Sequence, residues 1–507
     1  MKKKKKIIPI IIAVIILIPI VILSIIGIRI YNLGFAHNQD RIAKLEALDG
    51  VVNVKEIWNL PNSNYCEKYI VTFKQPLDWN DPSKGTFNQR VEVDINNDPR
   101  ITVMETNGYC LNDKLSSLVF LLTPAPEIVE MFDGNYVNVE QRFFGDSRPS
   151  DMSNEDTKYW EYLTPENSAN DYHKIYTELS SVLGDKWISI GTSRGGLMCN
   201  TYGYFYPDDM YVYVAYVAPC SDGLDEDKRF YDFVNNEIGE TLYGEEEAKA
   251  NRELVTRFQV EAMKYKNDLL PKFKKELKKN KYKDGVSAEV LYDLVVLEAG
   301  VQIWQQGFDL RQISNVLDMP EGSKKEIKAK RKAVYETLLR IQHPHDWAFD
   351  YPAWPFYVGA ATYYGQYYYD FSYLREALDE EGLADTLSVT EDMEENFMVN
   401  IVFTDEQREA FVYDGSFRDD LVRSMSDTEA RHMMIFGGTD PWRSVALQPE
   451  ETENDNIRYY INSNFPHSST IKNLPEETRR EVIDTICDWL GEETDTYFTL
   501  EDNRKKQ

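Results

Sequence analysis

A serine between two glycines is the part of the chain best suited to chemistry. The run Gly191-Thr192-Ser193-Arg194-Gly195 follows a short apolar stretch and precedes a helix-compatible run, Leu197–Asn200. A strand, a sharp turn and a helix in this order form a nucleophile elbow, in which the turn lifts the serine hydroxyl clear of the backbone. We therefore predict that Ser193 is a nucleophile.

A serine hydroxyl is a weak nucleophile, so it needs a base to take its proton and an acid to orient that base. Among the six histidines, His467 lies in a loop between the last predicted strand and the last predicted helix. Asp440 follows a buried strand and a glycine-rich turn. The order Ser193, Asp440, His467 is that of hydrolases with this elbow. The alternative for Asp440 is an ordinary structural Asp-Pro turn.

The oxyanion of an acyl-transfer reaction needs two backbone N–H donors. Arg194 follows the nucleophile and is predicted to supply one of them. The second should come from the loop after the predicted buried strand Ser117–Leu122. Both prolines of that loop lack an N–H group, so Ala125 or Glu127 is the candidate.

The amino terminus differs from the rest of the chain. Five lysines precede residues 7–30, which are nearly all apolar, with Arg29 as the only charge. Such a run is long enough to span a bilayer and lacks a good small-residue cleavage site. It predicts an uncleaved single-pass signal anchor, with the lysines in the cytoplasm and the catalytic part outside the cell. The alternative is a cleaved signal peptide, which would make the protein secreted.

The charge balance limits the partners. A net charge of −29 repels nucleic acid and anionic lipid headgroups, so we expect no nucleic-acid partner and membrane contact only through the amino-terminal helix. The charge either serves solubility or attracts peptides with a cationic amino terminus.

The remaining candidate ligands do not predict a cofactor. His343 and His345 flank a proline, where a structural role is favoured over a metal pair, and no cysteine spacing suggests zinc. We therefore expect neither a metal nor an organic cofactor. Cys66–Cys110 and Cys199–Cys220 are candidate disulfides, and buried reduced thiols are the alternative.

Strand and helix patterns alternate on both sides of a long helical stretch. They predict an α/β chain with a mostly parallel, doubly wound sheet and a large helical cap insertion. The predicted parts are the anchor (1–37), the first part of the core with the nucleophile (38–224), the cap (225–424), and the second part with the acid and base (425–507).

Several segments resemble the secreted tripeptidyl-aminopeptidase family of serine peptidases, distant relatives of the prolyl carboxypeptidase and dipeptidyl peptidase II group. The segments are Val139–Pro149, Leu163–Glu166, Gly191–Gly196, Phe205–Asp209, Ala215–Pro219 and Gly438–Trp442. The resemblance implies an α/β-hydrolase core and removal of short peptides, on this basis tripeptides, from free amino termini. It carries over Ser193, Asp440 and His467 as nucleophile, acid and base.

The resemblance also suggests that Glu140 anchors the substrate ammonium. The alternative is a structural pairing of Glu140 with Arg142 or Arg148. The aromatic runs 351–357 and 363–369 fall in the predicted cap, where they line a pocket or pack the cap core. Two other functions stay open, an esterase or lipase on the same core and a surface binding protein without activity.

Overall fold

The computed structural model describes residues 35–59, 65–111, 126–153, 157–221, 228–279, 287–343, 369–394, 405–410, 414–447 and 454–493. The apolar run 7–30 of the predicted anchor, the predicted strand at Ser117–Leu122, Ala125, His345 and most of the two aromatic runs lie outside the described residues. Within the described residues, no helix has both the length and the apolar character needed to cross a membrane.

A single mixed sheet is the centre of the described structure. Its strands in chain order are β1 (Val51–Glu56), β2 (Tyr65–Pro76), β3 (Thr86–Asn96), β4 (Thr102–Thr106), β5 (Asn135–Val139), β6 (Trp187–Thr192), β7 (Val212–Tyr216), β8 (His432–Gly437) and β9 (Ile457–Asn462). Their spatial order is β1-β2-β3-β5-β4-β6-β7-β8-β9.

The strands from β5 to β9 in this spatial order pair in parallel. The first three strands pair antiparallel and join the parallel part through β3 and β5. The parallel strands are short apolar runs buried on both faces; all five residues of β7 are buried, for example. Because parallel strands end at the same edge, the loops after β6, β8 and β9 meet there.

Helices cover both faces of the sheet. The helices that precede or follow the predicted cap in the sequence are α1 (Gln39–Glu46), α2 (Glu127–Phe132), α3 (Pro165–Leu183), α4 (Arg194–Phe205) and α16 (Glu476–Leu490). The sequence pattern predicted α3 and α16 with these bounds. Helix α3 begins where the Thr164 side chain accepts from the Asn167 N–H group and proline occupies the first turn.

Between β7 and β8 the part of the chain that the structure describes contains helices and no strand. They are α5 (Arg229–Asn236), α6 (Glu240–Tyr243), α7 (Glu245–Lys264), α8 (Lys266–Lys279), α9 (Ala288–Gln305), α10 (Leu310–Leu317), α11 (Lys324–Ile341), α12 (Ser372–Glu380), α13 (Glu391–Glu394), α14 (Asp405–Ala410) and α15 (Ser416–Met425). Their apolar residues form one buried cluster, which also includes residues from outside these helices, such as Phe87 and Phe143. The predicted cap boundaries stay a prediction.

One strand was misplaced by the sequence pattern. The pattern predicts β-like runs from about Val51 to Met104 and a doubly wound part that begins only after them, at Ser117–Leu122. In the structure β4, at Thr102–Thr106, pairs in parallel with both β5 and β6. The Glu105 carboxylate inside this short strand interrupts its apolar pattern. The loop that passes beside the elbow is therefore the one after Thr106.

Candidate active site

Ser193 lies at a strained turn between β6 and α4. Its backbone has φ 56° and ψ −124°, a conformation that costs energy for a residue with a side chain. Its N–H group donates to the Tyr216 carbonyl over 2.8 Å, which joins the turn to the end of β7. This is the geometry of a nucleophile elbow, as the sequence predicted.

The elbow closes only because two of its neighbours lack side chains. A Cβ on Gly191 would stand 2.0 Å from the Gly195 carbonyl oxygen, and one on Gly195 would stand 2.6 Å from the Thr106 carbonyl oxygen. The Thr106 hydroxyl donates to the Gly195 carbonyl over 2.9 Å. Strand β4 and the first turn of α4 therefore hold the elbow from both sides.

Asp440 and His467 lie side by side at the same edge. His467 Nδ1 is 2.9 Å from Asp440 Oδ1, and Asp440 is fully buried while the His467 side chain is 15% exposed. The same Oδ1 atom accepts from the Trp442 N–H group over 3.1 Å, so a short 3₁₀ turn fixes the carboxylate. The structure thus brings together the predicted acid and the predicted base.

Two glycines let the loops of the acid and the base approach each other. A Cβ on Gly437 would stand 2.2 Å from the Pro466 carbonyl oxygen, and one on Gly438 would stand 2.7 Å from Ser463. The cap also contributes, because the His467 N–H group donates to the carbonyl of Gln305 over 3.2 Å. The Gln305 side chain accepts from Trp442 Nε1 over 3.1 Å.

Thr192, directly before Ser193, and His467 line one cavity of about 490 Å³ at this edge of the sheet. The cavity extends over β4, β5 and β3 beneath the start of α2. The predicted base therefore faces this cavity, and the predicted nucleophile directly follows one of the lining residues.

Of the three candidate oxyanion donors, the structure describes Arg194 and Glu127. Arg194 begins α4 directly after the nucleophile, where its backbone N–H group is among those a helix leaves without an internal partner. Ala125 is outside the described residues. The Glu127 carboxylate accepts from the N–H groups of Ile471 and Lys472 and ties α2 to the segment after His467.

The loop after β4 is closer to the elbow than the sequence suggested. A Cβ on Gly108 would stand 2.7 Å from the Gly195 nitrogen and 2.9 Å from Arg194. The Tyr109 and Phe144 rings lie 5.9 and 5.1 Å from the Arg194 guanidinium carbon. Sequence reasoning missed Gly108, although an Asn-Gly pair directly after a strand is a turn signal.

The Glu140 carboxylate accepts hydrogen bonds from other residues of the protein. Glu140 is fully buried, and its carboxylate accepts two hydrogen bonds from Arg90, one from the Ser147 hydroxyl and one from the Leu111 N–H group. This geometry favours the structural alternative, with Arg90 as the partner in place of Arg142 or Arg148. Arg142 instead forms a buried bidentate pair with Asp171.

His432 and the five cysteines are all among the described residues. His432 is fully buried in β8, where burial lowers its pKa to about 4. The structure forms no disulfide among the five cysteines, so neither predicted pairing is present. Among the described residues no cluster of three or more His, Cys, Asp or Glu side chains is arranged to hold a metal ion.

The strand order, the elbow after a central parallel strand, and an acid and a base after later strands define an α/β-hydrolase. Comparison with known families then gives a narrower class. A family profile described as PS-10 peptidase S37 matches residues 40–382. The chain belongs to this family of serine-type peptidases, which confirms the resemblance inferred from the motifs.

A curated relative supports the same class. The chain is similar to a prolyl tri/tetrapeptidyl aminopeptidase of Streptomyces mobaraensis, at 32% identity over 270 residues. The match covers 53% of this chain and about half of the relative, 50% of its length.

Solved structures with looser similarity include two hydrolases. Proline iminopeptidase of Mycobacterium smegmatis is 11% identical with a TM-score of 0.32, over 83% of this chain and 98% of that one. Acetyl xylan esterase 1 of a Thermoanaerobacterium species is 8% identical with a TM-score of 0.34, over 89% of this chain and 92% of that one. The assignment of the fold rests on the sheet order and the elbow.

Proposed function

We propose that this serine peptidase is an aminopeptidase that releases short peptides from free amino termini, with Ser193, His467 and Asp440 as its catalytic residues. The observation that carries the proposal is the 2.9 Å contact between His467 Nδ1 and the buried Asp440 Oδ1, beside the elbow that presents Ser193. The three residues follow each other in the chain order expected for this fold.

In this proposal His467 takes the proton of the Ser193 hydroxyl as Oγ attacks the scissile carbonyl. Asp440 holds the imidazole tautomer with the proton on Nδ1 and stabilises the imidazolium. Backbone N–H groups at Arg194 and in the loop around Gly108 stabilise the tetrahedral oxyanion. His467 then donates its proton to the leaving amine, and water hydrolyses the acyl-enzyme by the same steps. The residues require no cofactor for this reaction.

The substrates are peptides with a free ammonium group. The name of the Streptomyces mobaraensis relative supports a step of three or four residues. The strongly acidic chain, with a net charge of −29, favours cationic amino termini over anionic ones.

The proposed location is the outer face of the cell membrane. The support is the sequence alone, in which five lysines precede a long apolar run at residues 7–30. In this arrangement the peptidase meets extracellular peptides while only its amino-terminal helix contacts the lipid.

A substrate panel tests the proposed activity. The full chain is assayed with mono-, di-, tri- and tetrapeptide p-nitroanilides, each with a free and an acetylated amino terminus, beside Ser193→Ala. We expect the unaltered protein to release p-nitroaniline from free-amine substrates of three or four residues, and we expect Ser193→Ala to release none. Equal cleavage of acetylated peptides would exclude the aminopeptidase, and hydrolysis of simple esters alone would indicate an esterase.

A further inference from the structure

The cavity that contains His467 has a strongly acidic far end. Glu92 and Asp94 of β3 and Glu105 of β4 line it, and each of them is partly or fully buried. Lys68 is the only lysine or arginine among the described residues that line it. Buried carboxylates are costly unless a cation or hydrogen-bond donors accompany them.

The protein's own contacts do not balance this charge. Lys68 bonds to Asp94 Oδ2 and stands 3.8 Å from Glu92 Oε1, while the Tyr136 hydroxyl donates to Glu105. Asp94 is 1% exposed, and its second carboxylate oxygen, Oδ1, is buried without a hydrogen-bond partner. A buried acceptor without a donor, on the wall of a cavity, indicates a position for a cationic ligand group.

The electrostatics of the three acids agree with this geometry. Burial, together with the charge of Asp94, raises the pKa of Glu92 to about 8. Burial raises the pKa of Asp94 to about 6 and also raises the pKa of Glu105. A bound ammonium would favour the ionised forms of these groups and reverse the shifts.

The sheet itself sets the distance between the acids and the nucleophile. Glu92 pairs with Asn138 on β5, Asn138 pairs with Glu105 on β4, and Glu105 pairs with Ile190 on β6. Three strand spacings of about 4.8 Å place the β3 backbone roughly 14 Å from β6, and Ser193 lies three residues, roughly 10 Å, beyond Ile190. About 17 Å therefore separates the Glu92 backbone from Ser193. An extended tripeptide or tetrapeptide spans about 10 to 14 Å, and the contacts at its two ends, with the carboxylate and with the serine hydroxyl, cover the rest.

We propose that Glu92 and Asp94 bind the α-ammonium group of the substrate, so that their distance from Ser193 sets the length of the released peptide. An ammonium has three donors, which match the Asp94 Oδ1 atom and the Glu92 carboxylate. This site replaces Glu140 as the amine anchor and rests on the proposed aminopeptidase function.

Isosteric variants of the full chain test the site. Glu92→Gln and Asp94→Asn are assayed with free and acetylated trialanine p-nitroanilide. We expect the KM for the free peptide to rise about tenfold or more, with kcat and the acetylated substrate unchanged, because only the free peptide loses a charge-assisted contact. Glu67→Gln is the matched control, since Glu67 is a buried, ion-paired carboxylate on neighbouring β2 and is absent from the cavity lining.

A second measurement on the unaltered protein does not depend on the folding of a variant. The rate at which a fluorophosphonate labels the active serine is measured in the presence of free trialanine, acetylated trialanine, free dialanine or free tetraalanine. A peptide that occupies the site slows the labelling. We expect free trialanine or free tetraalanine to protect best. Equal protection by the acetylated peptide, or better protection by free dialanine, would overturn the proposed anchor and its length rule.

The outcomes separate the anchor from the function on which it rests. If the unaltered protein prefers free amines and both variants keep that preference, the anchor alone is wrong. If the unaltered protein cleaves neither peptide, the aminopeptidase function fails and the anchor with it. Activity that requires added Ca²⁺ and is lost with EDTA would assign the acids to a metal and contradict the anchor.

Discussion

The Nδ1 atom of His467 lies 2.9 Å from Oδ1 of Asp440, although 27 residues separate them in sequence. They meet because β8 and β9 are parallel neighbours whose following loops leave the same edge of the sheet. Asp440 is fully buried, so little solvent screens its charge from the imidazole. With Nδ1 engaged by Asp440, Nε2 is the ring nitrogen left to act on a hydroxyl group.

The first prediction concerns Asp440→Asn. The amide keeps the size of the carboxylate but favours the wrong histidine tautomer, so we expect kcat to fall by about 10³ to 10⁴. Steady-state hydrolysis of a free tripeptide p-nitroanilide measures the effect, and the thermal midpoint of the variant checks its fold. A loss of less than tenfold in a well-folded variant would place the orienting acid elsewhere.

The second prediction concerns Gly108→Ala. The added methyl group would stand 2.7 Å from the Gly195 nitrogen, and it would displace either the loop after β4 or the first turn of α4. We expect kcat to fall roughly 100-fold, the scale of a lost oxyanion donor, with KM less affected. Gly322→Ala is the control, because its new methyl group meets nothing closer than 3.4 Å. Full activity in Gly108→Ala would show that this loop is not part of the oxyanion site.

The third prediction separates two roles of Glu140. Glu140→Gln breaks a buried bidentate pair with Arg90, which we expect to lower the free energy of unfolding by roughly 3 kcal/mol. Urea unfolding measures this loss. In the protein that remains folded, the preference for free over acetylated peptides should persist. Loss of that preference with unchanged stability would instead make Glu140 the amine anchor.

The fourth prediction concerns stability in acid. Burial lowers the pKa of His432 to about 4, below the ordinary value of 6.5. As the pH falls, His432 is therefore protonated in the unfolded chain before it is protonated in the folded protein. The stability of the folded state is not reduced by this group above pH 6.5, and it decreases as the pH falls from 6.5 toward 4. His432→Gln should flatten this part of the stability profile, measured by urea unfolding between pH 4 and 7. An identical profile in the variant would contradict the assignment.

The fifth prediction concerns pH and the proposed anchor. The raised pKa values of Glu92, about 8, and Asp94, about 6, keep these groups protonated at lower pH. The KM for a free peptide should therefore fall from pH 6 to about 8 and rise above it as the substrate amine, with a pKa of about 8, loses its proton. The other titratable groups that line the cavity are Tyr65, Lys68, Glu105, Cys110, Glu127, Tyr136, Tyr216 and His467.

The acetylated peptide is the internal control for this profile. Its hydrolysis depends on the same catalytic residues, such as His467, but it has no ammonium group. Its KM should not vary over the same range, and Glu92→Gln should weaken the fall for the free peptide. A parallel KM profile for both substrates would assign the pH dependence to the catalytic residues alone.

The elbow and the pair of Asp440 and His467 could be predicted from sequence because local signals mark them. Ser193 and Asp440 closely follow short apolar strands, His467 lies in the loop after the last strand, and glycines at 191, 195, 437 and 438 mark the tight turns. The bounds of α3 and α16 were predictable for a similar reason, since both have a helical period and clear termini.

The positions of the loop after β4 and of the β3 acids were less accessible to sequence reasoning. Glu105 interrupts the apolar pattern of β4, so the sequence does not mark this segment as a buried parallel strand. Ser117–Leu122, in contrast, has a nearly continuous apolar pattern. The role of Glu140 depends on Arg90, fifty residues away in the chain. The acids of β3 converge with His467 only through strand pairing, which no local pattern encodes.

The most direct test of the account is the identification of the residue that attacks the substrate. The full chain is labelled with a fluorophosphonate, digested and mapped by mass spectrometry, beside His467→Ala and Ser193→Ala. We predict one label on Ser193, no label in Ser193→Ala, and labelling slowed by several orders of magnitude in His467→Ala. A label on another residue, or an unchanged rate in His467→Ala, would contradict the proposed catalytic centre.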